Sequence, residues 1–337
     1  YLRHGTRTGI AAHHEDIAIP ILANHLAPLP LRQRIEQARC IVSTVQSVHS
    51  GSEIMTFGDF TTAILDEASQ VLEPQIIGTL AQVRRFIMIG DHLQLPAVVT
   101  QPAENLRVDS PILAPIQLTY LGMSMFERLM RCAETNGWTQ AYTTLTAQGR
   151  MHRDIMQFAS KAFYGGRLTT LAPWQDDPAP TPWHDILPGR AVFRPISAPG
   201  RQAEAEAAEI VRLATQIFDH LDGQGADLTL GIITPFRVQN RRIDALLPHH
   251  LRGRVTVDTV ERFQGSQRDI IIYGTAVGDP QEFSTIRADV QTSHGMVDRK
   301  LNVAATRARH QFVLIGDPHT LRISPPYQLA MDMLICA

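Results

Sequence analysis

The chain has 337 residues, 44% hydrophobic and 19% charged, a length and balance that suit a globular protein of two domains. A net charge of −2 and an isoelectric point near 6.7 exclude a protein that coats nucleic acid by bulk charge, though they leave room for a local basic groove. No apolar run approaches the roughly 20 residues that span a bilayer, no signal peptide is evident, and Cys40, Cys132 and Cys336 have neither paired nor metal-ligand spacing, so the expectation is a reduced, cytoplasmic setting with no membrane partner.

Short β-rich runs alternate with amphipathic helical stretches, which predicts an α/β fold with mainly parallel sheets. Residues 1–37 carry no clear pattern. Strands are expected near Cys40–Val45, Thr62–Asp66 and Arg85–Gly90, each ending in small or polar residues at its carboxyl end, where open α/β sheets place ligands. Val98–Ala114 reads as a surface loop, and a helix over Ser124–Glu134, stopped by Asn136-Gly137, closes a first lobe assigned to residues 1–137. The second lobe, residues 138–337, takes shape from Tyr142, with a helix from His152 to Phe163 and a Pro-rich surface loop at Pro173–Pro188. Strands at Ala191–Ile196, Leu228–Thr234, Arg254–Thr259, Asp269–Ala276 and Phe312–Gly316 predict a second sheet of similar size to the first. Between the first two, Gln202–Leu221 places Ile210, Val211, Ala214, Ile217, Phe218 and Leu221 at helical spacing, with Glu204, Glu206 and Glu209 early in the helix. That helix reads as packing without chemistry. Arg237, Arg241 and Arg242 share a further helix, either bordering a strand-binding groove or forming a solvated face.

Thr62–Leu65 is a buried-strand pattern ending abruptly in Asp66-Glu67. In a phosphate-transfer site one such carboxylate helps hold magnesium while the other orients and deprotonates the attacking water, but alone the pair is better explained by a turn. A second apolar strand, Phe86–Ile89, ends in Gly90-Asp91 and runs into His92-Leu93-Gln94-Leu95-Pro96, so two strand ends would face one cleft. The amide of Gln94 suits a γ-phosphate or the lytic water. Farther along, Gln148–His152 and Leu301–Arg309 supply Arg150 and Arg307, with Phe263–Gln267 between them. Guanidinium groups stay ionised and donate in a planar fork, which matches a developing phosphoryl charge. Only two lysines occur, Lys161 after Ser160 and Lys300 after Arg299. No Gly-Lys-Ser/Thr loop is therefore present, and with Tyr1 at its head the sequence is expected to be a segment whose upstream portion is missing. His13-His14 and His249-His250 read as surface histidines.

In combination these segments resemble the superfamily 1 helicases, in the branch of the nonsense-mediated-decay RNA helicase. Asp66–Gln70 looks like motif II, Gly90–Pro96 like motif III, Gln148–His152 like motif IV, and Thr234–Arg237 with Gln239 like the Thr-Pro segment that follows. Val257–Gly265 resembles motif V and Leu301–Arg309 motif VI, so the likeness covers roughly residues 38–317. It implies two RecA-like domains of the P-loop NTPase type, with ATP between them and a single DNA or RNA strand across them. The motor would use ATP and Mg²⁺, move 5′ to 3′, and work with further domains or partner proteins. By position, Asp66 would hold magnesium, Glu67 would be the catalytic base, Gln94 would sense the γ-phosphate, and Arg150 with Arg307 would be arginine fingers. Asp91, Gln264, Gly265 and Gln267 would line the nucleotide, and Thr44, Thr234 and Thr259 would bond strand phosphates without reading sequence. Gly149 stands where the family commonly has Tyr before the motif IV arginine, and Gln267 where it usually has Glu after motif V. The missing motif I lysine and hydroxyl remove the main phosphate cradle. The rival expectations are a non-hydrolysing nucleic-acid-binding or scaffolding module, and the motor part of a larger nuclease or defence protein.

Overall fold

The computed structural model describes residues 1–6, 10–50, 52–197, 203–222 and 228–337. It forms two compact units, Tyr1–His92 with Pro96–Thr143, and Leu93–Leu95 with Thr144–Ala337.

The first unit contains β1 (Leu2–His4), α1 (Ile19–His25), α2 (Pro28–Glu36), β2 (Ile41–Ser43), α3 (Val45–Ser50), β3 (Thr62–Leu65), α4 (Glu73–Leu80), β4 (Arg85–Met88) and α5 (Met125–Asn136). Residues 1–37, patternless in sequence, thus hold a strand and two helices. A three-residue strand is too short to show a period, and α1 and α2 both begin with Pro in their first turn, where its missing N–H costs nothing. The expectation of a first sheet equal to the second is corrected. Among the described residues β1 pairs β2 and β3 pairs β4, each in parallel, as separate two-stranded sheets. The buried-strand reading of Thr62–Leu65 is also corrected: Leu65 is 8% exposed and packs with Ile76, Leu80 and Met125, whereas Ile64 is 67% exposed. Alternate side chains point to opposite faces, and only one face of this sheet is covered by helices. Ser124 caps α5 by accepting from Glu127 N at 3.1 Å, and Gly137 ends it at φ 69°. Arg128 of α5 grips Glu73 of α4 through two bonds of 2.6 and 2.7 Å, both side chains being under 9% exposed.

The second unit runs through β5 (Ala147–Gln148), α6 (Arg153–Phe163), β6 (Thr169–Thr170), β7 (Ala191–Pro195), α7 (Glu204–Asp222), β8 (Leu230–Ile233), α8 (Arg237–Leu246), β9 (Val255–Asp258), α9 (Val260–Phe263) and β10 (Arg268–Gly274). It continues through α10 (Pro280–Ile286), β11 (Asp289–Thr292), β12 (Gly295–Asp298), α11 (Arg299–Thr306), β13 (Ala308–Gly316), α12 (Pro318–Leu321), α13 (Pro325–Met333) and β14 (Ile335–Cys336). Six strands form one parallel sheet in the order β14-β7-β13-β10-β8-β9. The expected α/β class with mainly parallel strands holds. Ile271, Tyr273, Phe312 and Leu314 face one core with α6 and α11, while Ile270, Ile272, Val313 and Ile315 face the other with α7 and α8. Covering on both faces is why these strands read as unbroken apolar runs.

The Pro173–Pro188 loop does not lie wholly on the surface. Trp183 and Leu187 are fully buried, Trp183 Nε1 donates to Gln311 Oε1 at 3.0 Å, and buried Gln175 donates to Gln148 O and Met151 O. A stretch without ladder bonds is anchored by side chains instead. Leu106 plays the same part within Val98–Ala114.

Gln202, the expected start of α7, lies outside the described residues. Within α7, Leu213 is buried where Val211 is only partly so, and Glu206 is not a solvated first-turn acid but fully buried, both its oxygens accepting from Ala276 N at 2.9 and 3.0 Å. Burial pushes the Glu206 carboxyl up to about 8, although the Ala276 bonds favour the charged form. A folded pKa above the unfolded value makes the associated stability fully present below about pH 4.5 and lost as pH rises through about 8. Over that window the second unit is expected to lose up to roughly 5 kcal/mol, at about 1.4 kcal/mol per pH unit. Denaturation of the second unit at pH 5 and pH 9 should show a smaller difference in Glu206→Gln than in the unsubstituted chain; equal differences would contradict the assignment.

Candidate functional site

Two groups of side chains, one in each unit, carry the candidate chemistry. In the first unit the β3–β4 pairing continues past the strands, with Ile89 N donating to Leu65 O and Ala68 N donating to Ile89 O, both at 2.8 Å. A Cβ on Gly90 would meet Ser69 N at 3.0 Å and Ala68 N at 3.3 Å, so glycine is what allows the two strand ends to close together. Glu67 sits in the left-handed region at φ 51°, ψ 37°, unusual for a side-chain-bearing residue. Such conformations persist where surroundings over-determine them, often at functional sites. Asp66 is exposed and its Oδ1 accepts from Glu67 N at 2.9 Å; Glu67 Oε2 accepts from Gln70 Nε2 at 2.9 Å. Asp91 follows β4, so Asp66, Glu67 and Asp91 stand at adjoining carboxyl ends. Gln70, which fixes the Glu67 carboxylate, ends the motif II likeness, where the sequence alone gives it no role.

In the second unit Gln94, Arg150, Gln267 and Arg307 gather around the end of α11. Arg307 is 2% exposed and donates from Nη2 to Gln94 Oε1 at 3.0 Å and to Thr306 Oγ1 at 3.2 Å, and from Nε to Val303 O at 3.2 Å. Arg150 donates from Nε to Gln267 Oε1 at 3.0 Å and from Nη1 to Thr306 O at 3.1 Å. The neutral Gln267 thus accepts one hydrogen bond from Arg150 through its amide oxygen, where a glutamate would form an ion pair. Two further residues to which the sequence gives no role support the group. Gln148 Oε1 accepts from the N–H groups of Arg150 and Met151 at 2.9 and 2.7 Å. Asp298 caps α11 by accepting from Leu301 N at 2.7 Å, and burial pushes its carboxyl up to about 6.

Gln264 and Gly265 follow α9, Gly265 at φ 77°, and Gln264 Nε2 is buried without a hydrogen-bond partner among the described residues. A buried donor of this kind suits a polar ligand. The three threonines differ. Exposed Thr44 caps α3, its Oγ1 accepting from Ser47 N at 3.2 Å. Half-buried Thr259 occupies the cap position of α9, yet its side chain makes no capping bond to the backbone. Thr234 is fully buried and its hydroxyl donates to Asn240 Oδ1, so in this conformation the hydroxyl points into the protein.

Among the described residues no group of three or more His, Cys, Asp or Glu could hold a metal on its own, and no helix is long and apolar enough to cross a membrane. A lone Asp66 carboxylate suits Mg²⁺, which keeps waters and substrate phosphate oxygens and takes only one or two protein carboxylates.

Comparison with known proteins gives a consistent picture. The AAA domain family matches residues 121–319, and a second AAA domain family matches residues 14–102. The chain is 30% identical over 314 residues to the DNA replication ATP-dependent helicase/nuclease DNA2 of Mus musculus, covering 82% of this chain and 26% of that protein. It is 29% identical over 288 residues to the regulator of nonsense transcripts 1 homolog of Arabidopsis thaliana, covering 79% and 20%. To the RNA helicase Mov10l1 of Mus musculus it is 26% identical over 328 residues, covering 89% and 26%. The chain therefore spans about a fifth to a quarter of these relatives' length.

Proposed function

The chain belongs to the AAA domain family, and from that premise we propose that it is the motor segment of a superfamily 1 ATP-dependent helicase or translocase. Its track is a single strand of DNA or RNA, traversed 5′ to 3′, and residues 1–137 and 138–337 serve as a partial and a whole RecA-like domain. Further domains or partners and a cytoplasmic location belong to the same reading. The observation that carries it is the cluster around Thr306, where an enclosed guanidinium, a second arginine and the Gln94 amide stand together. A desolvated cationic fork beside a neutral amide is suited to a phosphoryl group that gains charge as its bond breaks.

Bound with ATP, Mg²⁺ supplies neutralisation of the β- and γ-phosphate charge. Asp66 would hold that ion, and Glu67, steadied by Gln70, would take the proton of the attacking water. Gln94 would meet the γ-phosphate, and Arg307 and Arg150 would stabilise the developing charge. Asp91, Gln264, Gly265 and Gln267 would line the nucleotide. The residues fit this hydrolytic end of a triphosphate but not its cradle, because none of the 337 residues forms a Gly-Lys-Ser/Thr loop. A complete motor joins these residues to such a loop.

On the strand side, exposed Thr44 and Thr259, whose hydroxyl meets the Glu261 carboxylate, are the direct phosphate contacts, and Thr234 supports its own turn. Binding should tolerate sequence changes and weaken as salt rises, because phosphate contacts release counterions and carry no base information. The test is Thr259→Val, with single-strand affinity read by fluorescence anisotropy beside thermal melting of the same variant. Weaker affinity at unchanged stability is expected. Intact affinity with stability lowered by about 0.5–1.5 kcal/mol would reduce Thr259 to a structural partner of Glu261.

A further inference from the structure

We infer that Asn302 is a positioning residue: with Tyr164 it fixes the main chain at Leu93 and so sets the place from which the Gln94 amide meets Arg307. The inference rests on the motor reading above.

Leu93–Leu95 belongs to the second unit yet forms no strand or helix there. Its two leucines are 9% and 7% exposed and join the core that also contains Ile155, Phe163 and Leu301. Apolar packing of this kind sets how deep a segment sits, but it is non-directional and leaves its register loose. Directional bonds fix the register, and the one to the main chain at Leu93 comes from α11. Asn302, fully buried on α11, donates from Nδ2 to Leu93 O at 2.9 Å. The Tyr164 hydroxyl braces that amide, lying 3.2 Å from Asn302 Oδ1, to which it donates, and 3.0 Å from Nδ2. Thr306 Oγ1 donates to Asn302 O at 2.8 Å and accepts from Arg307 Nη2 at 3.2 Å, so one short helix reads Leu93 O at one turn and presents Arg307 to Gln94 Oε1 at the next. A shift of the tripeptide by one residue would replace the amide before Arg307 with a leucine. Asn302 touches neither strand nor nucleotide groups in this scheme; it acts through Gln94.

The experiment is a double-mutant cycle on strand-stimulated ATP hydrolysis, in a protein that joins this chain to a P-loop, using Gln94→Ala, Asn302→Ala and the combination. Misplacement by about 1 Å can cost on the order of a hundredfold. Asn302→Ala is therefore expected to lower kcat by about 10- to 100-fold with KM for ATP changed less than about threefold, and to add nothing once Gln94 is already Ala. Tyr164→Phe, which keeps the ring, should lower kcat less, in the same direction. In the chain itself, amide hydrogen exchange over residues 93–95 should quicken in both variants. Independent, multiplying losses from Gln94→Ala and Asn302→Ala would overturn the inference in favour of a purely structural asparagine. So would unchanged kcat in Tyr164→Phe together with Asn302→Ala. Should Asn302→Ala fail to fold, Tyr164→Phe combined with Gln94→Ala completes the same cycle. If Gln94→Ala itself retains the full rate while Glu67→Gln abolishes it, the motor reading stands and the inference falls; if neither changes the rate, the motor reading fails and the inference with it.

Discussion

Glu67→Gln, made in a protein that joins these residues to a Gly-Lys-Ser/Thr loop, is expected to lower strand-stimulated ATP hydrolysis by about 10²–10⁴-fold, the usual contribution of a positioned general base. The amide keeps the shape of the side chain and can still meet Gln70, but it has no basic lone pair to accept a proton from water. ATP affinity should hold, because the substitution removes no phosphate contact and Asp66 is untouched. The left-handed backbone at Glu67, φ 51°, adds a second expectation. Glu67→Gly should relieve strain there, leaving the chain as stable or more so while losing the same activity. A rate within a few fold of the unsubstituted protein in Glu67→Gln, measured at saturating ATP and strand, would remove Glu67 from the base role. The chain on its own is expected to show no turnover in either form, since neither of its lysines, Lys161 or Lys300, stands in a phosphate-binding loop.

The largest loss of stability expected from a single substitution in the first unit lies at Arg128 and Glu73. Their bidentate pair spans α4 and α5 with side chains 6% and 8% exposed, and Arg128 Nη1 also donates to Ile116 O at 2.8 Å. Removing either partner leaves a buried charge without its counterpart, which costs about 3–5 kcal/mol. The surrounding core is small, chiefly Leu65, Ala68, Ile76, Leu80 and Met125, so the first unit should unfold in Arg128→Ala or Glu73→Ala at temperatures that leave the second intact. Hydrogen exchange resolves the two units separately, as a single melting curve would not. Replacing both together, Arg128→Met with Glu73→Leu, should recover most of the loss, because well-packed apolar residues avoid the desolvation penalty. A single substitution that leaves exchange in residues 62–90 unchanged would show the pair to be dispensable.

Much of the second unit was legible in sequence. Its central strands are buried on both faces and read as continuous apolar runs, and α6 announces itself by its apolar period, whereas α11 shows in sequence only as a motif, its helix and its Asp298 cap being set by the structure. The carboxylates after β3 and β4 were legible as well, because a strand that stops at Asp66-Glu67 or Gly90-Asp91 is a local event. The hairpin β11–β12 was not, since its alternation is short and largely polar.

By itself, then, the sequence determined the α/β class, the order of the motifs, the absence of a phosphate-binding lysine loop and the candidate residues, all properties of neighbours along the chain. Only the tertiary structure decided that Glu206 is enclosed and bonded to Ala276, that Thr234 turns inward to Asn240, and that Asn302 holds Leu93. Each joins residues that no local period relates, and for a polar side chain the choice between solvent and an interior partner is set by which surfaces the fold brings against it. A glutamate in the first turn of a helix looks the same in sequence whether water or a buried N–H answers it.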